Sequence, residues 1–244
     1  MSFTDTARPL DHLAPPKTPD DFVNPLEPIN EACAFLSPGS WALKAVELML
    51  PCDPVERVQQ AFAGNWKAYA SCSGVWRDLG EACGALARNL EGGNRDLDRI
   101  WDGAAADAAV RYFDALRKDL HGIRRALIRL GDEYLVVAQA VSAAASALGE
   151  CLSALVDAAV SWYITQAASS ALSWTGWAAA TGYALGAVEA QIMLAEWARA
   201  TEIINHAQLV MNAGCGVLGR LVGEIAAQLN TFPLPRRAYH HPAV

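Results

Sequence analysis

Two apolar stripes of heptad spacing run into Ile100-Trp101-Asp102-Gly103-Ala104-Ala105-Ala106 from opposite sides, and no other feature restricts the fold as strongly. Backward from Ile100, steps of three and four pass through Leu97, Gly93, Leu90, Leu86, Cys83, Leu79, Trp76, Cys72, Tyr69, Asn65, Phe62, Val58 and Val55. Forward, the same steps pass through Ala106, Ala109, Phe113, Leu116, Leu120, Ile123, Leu127, Leu130, Tyr134, Val137, Val141, Ala144 and Leu148. Only Asn65 and Gly93 interrupt the two runs. A seven-residue repeat spaces apolar side chains slightly below the natural turn of a helix, so the stripes stay in contact only if the helices coil left-handedly around each other. The pattern predicts an all-α, elongated bundle built on an antiparallel hairpin with arms about 54–100 and 104–157, each about 65 Å long at roughly 1.5 Å per residue.

The residues between the stripes suit a bend. Gly103 permits a backbone conformation that side chains forbid, Asp102 can accept from the free amides of the second helix, and Asp107 favours that helix's positive end. Trp101 has two readings, an aromatic that plugs the bundle end or a recognition residue. A turn here places Phe113 near Leu90, Leu127 near Trp76, Val141 near Phe62 and Cys151 beside Cys52. Cys52 and Cys151 are therefore a candidate disulfide at the open end of the hairpin.

The rest of the chain is organised around that hairpin. Residues 1–27 carry Pro9, Pro15, Pro16, Pro19 and Pro25 and form an arm without regular structure, mobile or laid along the bundle. Short helices are expected from about Glu27 to Leu36, ended by Ser37-Pro38-Gly39, and from Ser40 or Trp41 to Leu50. The first long arm begins at Pro51-Cys52-Asp53-Pro54-Val55-Glu56, where Asp53 can cap, proline suits the first helical position and Glu56 can reach back. Asn65 fixes register or marks a docking point, and Glu91-Gly92-Gly93-Asn94 is a place for a kink.

The domain reading is an arm at 1–27, short helices plus hairpin at 28–157, Ala/Gly-rich helices at 158–231 and a tail at 232–244. Within the third part, residues 158–188 contain no charged side chain. Two helices with a turn near Trp174-Thr175-Gly176 or Thr181-Gly182 fit there, followed by an amphipathic helix to about Asn212, a bend at Gly214-Cys215-Gly216 and a last helix to Leu229. Serines and threonines make the uncharged run less apolar than a typical membrane span, so close packing in a soluble bundle and insertion into a membrane both remain open.

A hydrophobic content of 53% fits an extensively packed helical protein, and the net charge of -7 argues against a nucleic-acid partner. The basic run Arg111, Arg117, Lys118, Arg124, Arg125 and Arg129 falls off the apolar stripe, as solvated charges do. Six cysteines form no Cys-x-x-Cys pair, which makes a zinc site unlooked for. The histidines 12, 121, 206, 240 and 241 accompany no nucleophile motif, and no phosphate loop precedes a helix. Neither catalytic, cofactor-binding nor metal residues are expected. The start, Met1-Ser2-Phe3-Thr4-Asp5-Thr6, lacks the basic-then-apolar order of a cleavable secretory signal.

Trp101-Asp102-Gly103 between heptad helices, followed by Ala104-Ala105-Ala106-Asp107-Ala108-Ala109-Val110-Arg111-Tyr112-Phe113, resembles the WXG (Trp-x-Gly) family of type VII secretion substrates. Asn24-Pro25-Leu26, Asp53-Pro54 and Gly64-Asn65-Trp66 are similar to the opening of its longer members, including the amino-terminal domains of actinobacterial secreted polymorphic toxins and of the channel protein with a necrosis-inducing toxin. The resemblance covers residues 24 to about 165. It implies a non-enzymatic helical protein made in the cytoplasm and exported folded to the envelope or medium, with a WXG-type or toxin protein as partner. Trp101, Asp102 and Gly103 would be read by the secretion ATPase. Homo-oligomerisation and membrane association are further implications. The family's export signal, Tyr followed four residues later by Asp or Glu, is not met at Tyr112, Tyr134, Tyr163, Tyr183 or Tyr239, so export would use a partner's signal. Rival expectations are a pore-forming or membrane-associated oligomer using residues 158–230, and a cytosolic chaperone or immunity protein for a toxin.

Overall fold

A computed structural model of the chain describes residues 5–36, 40–50, 52–171 and 177–232, and side chains at 171 and 177–183 are outside that description. The described residues form six α-helices and no strand: α1 (Leu26–Ala34), α2 (Trp41–Met49), α3 (Pro54–Ala61), α4 (Trp66–Ile100), α5 (Ala104–Ala171) and α6 (Trp177–Asn230). The protein is thus all-α, built of packed long helices. It divides into two compact units, one of Met1–Pro19, Ala68–Leu135 and Gly214–Val244, the other of Asp20–Lys67 and Val136–Ala213. The division cuts across α5 and α6.

In the first unit α4 and α5 pack antiparallel, because partner numbers fall along one helix as they rise along the other. Asn94 Nδ2 donates to Val110 O at 3.1 Å, Arg124 to Glu81 Oε1 at 2.8 Å and Arg77 Nε to Asp132 Oδ1 at 3.0 Å. The Tyr69 and Tyr134 rings lie 4.8 Å apart. The buried side of α4 is not the stripe that the large residues mark. Leu79 and Leu86 are 36% and 44% exposed, whereas Ala70, Ser73, Gly80, Gly84 and Ala87, one position further round the helix, are buried. These small residues bring backbones together: a Cβ on Gly131 would stand 2.6 Å from Ser73 O, and one on Gly80 3.2 Å from Arg124 O. Burial of backbone against backbone leaves no room for leucine at that seam. Tyr69 and Trp76 instead reach round to Leu130, Leu218 and Leu221, where the end of α6 supplies a third layer.

Residues 5–19 of the arm lie along α4. Asn89, only 7% exposed, accepts from Thr6 N and Ala7 N at 3.0 and 2.9 Å and returns a bond from Nδ2 to Ala7 O at 2.8 Å. A buried amide would cost stability if left unpaired, so Asn89 fixes the arm's register. Thr18 and Ser71 hydroxyls meet further along at 3.1 Å.

In the second unit the arm continues, Ser142 Oγ donating to Val23 O at 2.8 Å. The short helices follow as their caps direct. Asp53 Oδ1 accepts from Val55 N and Glu56 N at 2.8 and 3.2 Å, and Ser40 Oγ accepts from Leu43 N at 3.1 Å. Glu56 does not reach back to complete a capping box; its Oε1 accepts from Gln60 Nε2 at 2.9 Å. Ile29, Leu36, Val46, Phe62, Leu148, Leu152, Leu155 and Met193 are essentially inaccessible and form the core.

Three local expectations are corrected. The first arm is broken: α3 stops at Ala61, Gly64 takes φ +153°, and Asn65 is exposed ahead of α4 rather than on a core stripe. Trp66 stabilises that break, its Nε1 donating to Phe62 O at 2.9 Å in a buried bond. Helix α4 runs unbroken through Gly92-Gly93, and α6 runs unbroken through Thr181-Gly182 and Gly214-Cys215-Gly216. The reason for the last is a buried heptad stripe, Gly186, Met193, Trp197, Ala200, Ile204, Ala207, Gly214, Leu218 and Leu221, in which Gly214 is a packing position. The alternative turn at Trp174-Thr175-Gly176, the stop at Ser37-Pro38-Gly39 and the tail from Pro233 lie outside the described residues.

Candidate partner-recognition site

Three residues, Trp101-Asp102-Gly103, join α4 to α5. Trp101 N closes the last turn of α4 on Leu97 O at 3.0 Å, and Gly103 O accepts from Asp107 N at 3.0 Å to open α5. Gly103 therefore stands at the cap position expected for Asp102, and it holds φ +102°, a conformation that disfavours any side chain. Asp102 is exposed. Trp101 is 45% exposed beside Ile100 at 62%, so the indole does not plug a core. A half-exposed indole and an aliphatic neighbour at a helix junction are groups that a partner could bury for about 1.5–3 kcal/mol per side chain.

Two cavities open below this junction. The smaller, about 170 Å³, is lined by Leu90, Gly93, Asn94, Leu97 and Phe113, which puts Phe113 and Leu90 together as the hairpin register predicts. The Tyr112 ring stands edge-on to Phe113 with centroids 5.3 Å apart. The larger, about 210 Å³, is polar, with Glu91, Asn94, Arg95, Asp98, Val110, Asp114 and Arg117. Its charges are mostly matched. Arg95 sits 2.9 Å from Glu91 and holds that carboxyl below its ordinary range, while Lys118 and then Arg117 do the same for Asp114. Asn94 belongs to both cavities, and its Oδ1 is buried without a partner. The motif-based reading missed Asn94; an amide next to Gly92-Gly93 was its only signal.

In the rest of the basic run on α5, Arg124 pairs with Glu81 and Arg129 with Glu224, the latter at 3.9 Å. No Lys or Arg cluster is thereby left as a stripe along this helix.

The cysteine expectation is not met in the structure: Cys52 and Cys151 are free thiols. Cys151 is buried, and Arg199 and Glu196 of α6 are among the charges that act on its thiol. Burial pushes the Cys151 thiol up, and does the same for Cys33 and Cys83. Raised thiols are poor nucleophiles at neutral pH. Among the described residues no three His, Cys, Asp or Glu side chains group to hold a metal.

Geometry therefore defines a class, an all-α protein of long packed helices whose exposed junction and shallow cavities offer contact surface. Set against family models, curated proteins and solved structures, the chain matches none.

Proposed function

We propose that the protein is a non-enzymatic substrate or adaptor of a type VII secretion system, with α4 and α5 as a WXG-type hairpin. The observation that carries this reading is the junction: three residues, Trp101 half exposed and Gly103 at positive φ, between two helices of heptad pattern. Trp101 and Gly103 present the tip to the secretion ATPase, and a WXG-type or toxin partner packs along the helices and supplies the missing Tyr-x-x-x-Asp/Glu signal. Such a protein acts by being bound and carried, not by turnover.

The test compares culture filtrate and cell fractions by immunoblot in host cells with and without a working type VII ATPase. The native chain should enter the filtrate only with the ATPase, and Trp101→Ala should abolish its appearance there while circular dichroism stays helical. Retention in the cytosol of both strains would overturn the proposal.

A second reading, a membrane-associated oligomer, has its own observation. Along the uncharged run and just beyond it Tyr163, Ile164, Leu185, Val188 and Ile192 are 44–61% exposed. The nearby hydroxyls are satisfied within their own helix, Thr165 Oγ1 donating to Ser161 O, Ser169 Oγ to Thr165 O and Ser170 Oγ to Gln166 O at 2.7–2.8 Å. Side chains that bond back to their helix enter lipid at reduced cost. Stretches of α5 and α6 are also long and apolar enough to cross a membrane, with 44% and 17% of the two stretches buried. Dye release from phosphatidylcholine vesicles that disappears in Ile164→Glu/Leu185→Glu would favour this reading; intact vesicles at neutral and acidic pH would remove it.

A further inference from the structure

Helix α1 lies over α5 with Pro28 seated on Gly149, where an added Cβ would come within 3.2 Å of the Pro28 carbonyl oxygen. Beside that contact the two helices leave an open groove of about 620 Å³. Ser146, Gly149, Ser153 and Ala154 make its floor, and Ala32 and Phe35 make its wall. The floor is smoother and less polar than its residue types suggest. Ser153 Oγ donates to Gly149 O at 2.9 Å and Ser146 Oγ to Ser142 O at 3.2 Å, so both hydroxyls are taken up by α5 itself. Phe35 is 68% exposed at the edge.

The rim carries one sign of charge. Glu31, Glu150 and Asp157 line the groove and no Lys or Arg does. None of the three makes an ion pair among the described residues, whereas Asp132 and Glu81 elsewhere on the long helices are paired with arginines. The three carboxylates do not converge on a metal-sized point. Glu150 and Asp157 stand two turns apart on one face of α5, about 10 Å along its axis. Small floor residues allow another backbone to come close, and carboxylates two turns apart meet cations that are spaced likewise.

From this we infer that the α1–α5 groove is a docking site for a basic amphipathic helix of a partner protein. The partner's aliphatic residues cover Ala154 and Phe35, and its Lys or Arg residues two turns apart pair with Glu150 and Asp157 while another meets Glu31. This is the helix-in-groove mode, with apolar contact supplying affinity and the acidic rim supplying orientation and encounter rate. The groove is remote in sequence from Trp101, and its test does not depend on export.

The experiment titrates the full chain into a fluorescein-labelled amphipathic peptide of roughly five turns, with leucines on one face and lysines two turns apart. A peptide of equal composition but scrambled order, and spermine, serve as competitors. Docking predicts binding that weakens with salt, is not reproduced by the scrambled peptide or spermine, and falls about tenfold or more in Ser153→Trp, which fills the floor. Glu150→Gln/Asp157→Asn, exposed positions that leave the fold intact, should weaken it similarly, while Asp107→Asn/Glu202→Gln should not. Equal binding of the scrambled peptide, full competition by spermine, or unchanged affinity in both groove variants would overturn the inference and leave only attraction to an acidic protein.

Discussion

The unit that holds residues 68–135 and the unit that holds residues 136–213 weight two kinds of helix packing differently. In the first, small residues bring backbones together and polar side chains specify the register: Gly131 against Ser73 O, Arg77 with Asp132, Arg124 with Glu81, Asn94 with Val110 O. In the second unit bulky side chains are enclosed, with Leu148, Leu152, Leu155, Met193 and Ile204 at 2% exposure or less. Their outer faces differ in the same sense. Outward positions of α4 and the first half of α5 are charged and largely paired, whereas Ile164, Leu185 and Val188 are more than half exposed. Register held by directional bonds leaves apolar side chains free for a third layer, as Tyr69 and Trp76 are. Packing held by volume puts the large residues inside, and of the apolar residues that remain outside there Tyr163 is held against the Trp41 ring at 4.9 Å.

Substitutions can break that contrast. The largest effect is expected from Leu152→Ala, which removes a fully buried side chain from the volume-packed seam and should cost about 3 kcal/mol, read as a lower urea midpoint with unchanged slope. Gly131→Ala attacks the close-packed seam. Its Cβ cannot avoid the Ser73 carbonyl, so a loss of about 2 kcal/mol is expected even though alanine favours helix by about 1 kcal/mol. An unchanged midpoint in Gly131→Ala would mean that the backbones are further apart than described.

The smallest effect sharpens the comparison rather than breaking it. A double-mutant cycle on Glu81→Gln and Arg124→Met should return a coupling of about 0.5 kcal/mol, since both side chains are more than a third exposed and screened by water. The hydrogen bond from Arg124 holds the Glu81 carboxyl below its ordinary value of 4.5. A lowered carboxylate stabilises the fold above that value, and the contribution disappears as pH falls through the lower folded value. The coupling should therefore be present at pH 7 and gone in strong acid; a coupling that persists there would assign it to packing.

How far the sequence reaches can be judged residue by residue. Heptad spacing gave α5 its buried line from Leu120 through Val141 and Leu148, and it put Phe113 beside Leu90. Local chemistry gave the cap at Asp53 and the junction at residues 101–103. The face of α4 was misread because periodicity marks large apolar residues, while the seam selects positions where backbones touch. For the same reason Gly93 and Gly214 looked like breaks and are helix interior. Asn89, Asn94 and the acid-rimmed groove carry no motif, since each is defined by what lies opposite it. Cys52 and Cys151 were paired by register alone, and both are free thiols in the structure.

By itself the sequence determined that the chain is helical, where most helices start, and that residues 101–103 join two of them, because propensity, capping and heptad period are local properties. Only the tertiary structure decided which side of α4 is buried, that α6 is continuous, that the arm is fastened at Asn89 and which acids remain unmatched. Those depend on how closely two backbones approach and on which side chains then stand opposite, and neither is encoded within a single helix.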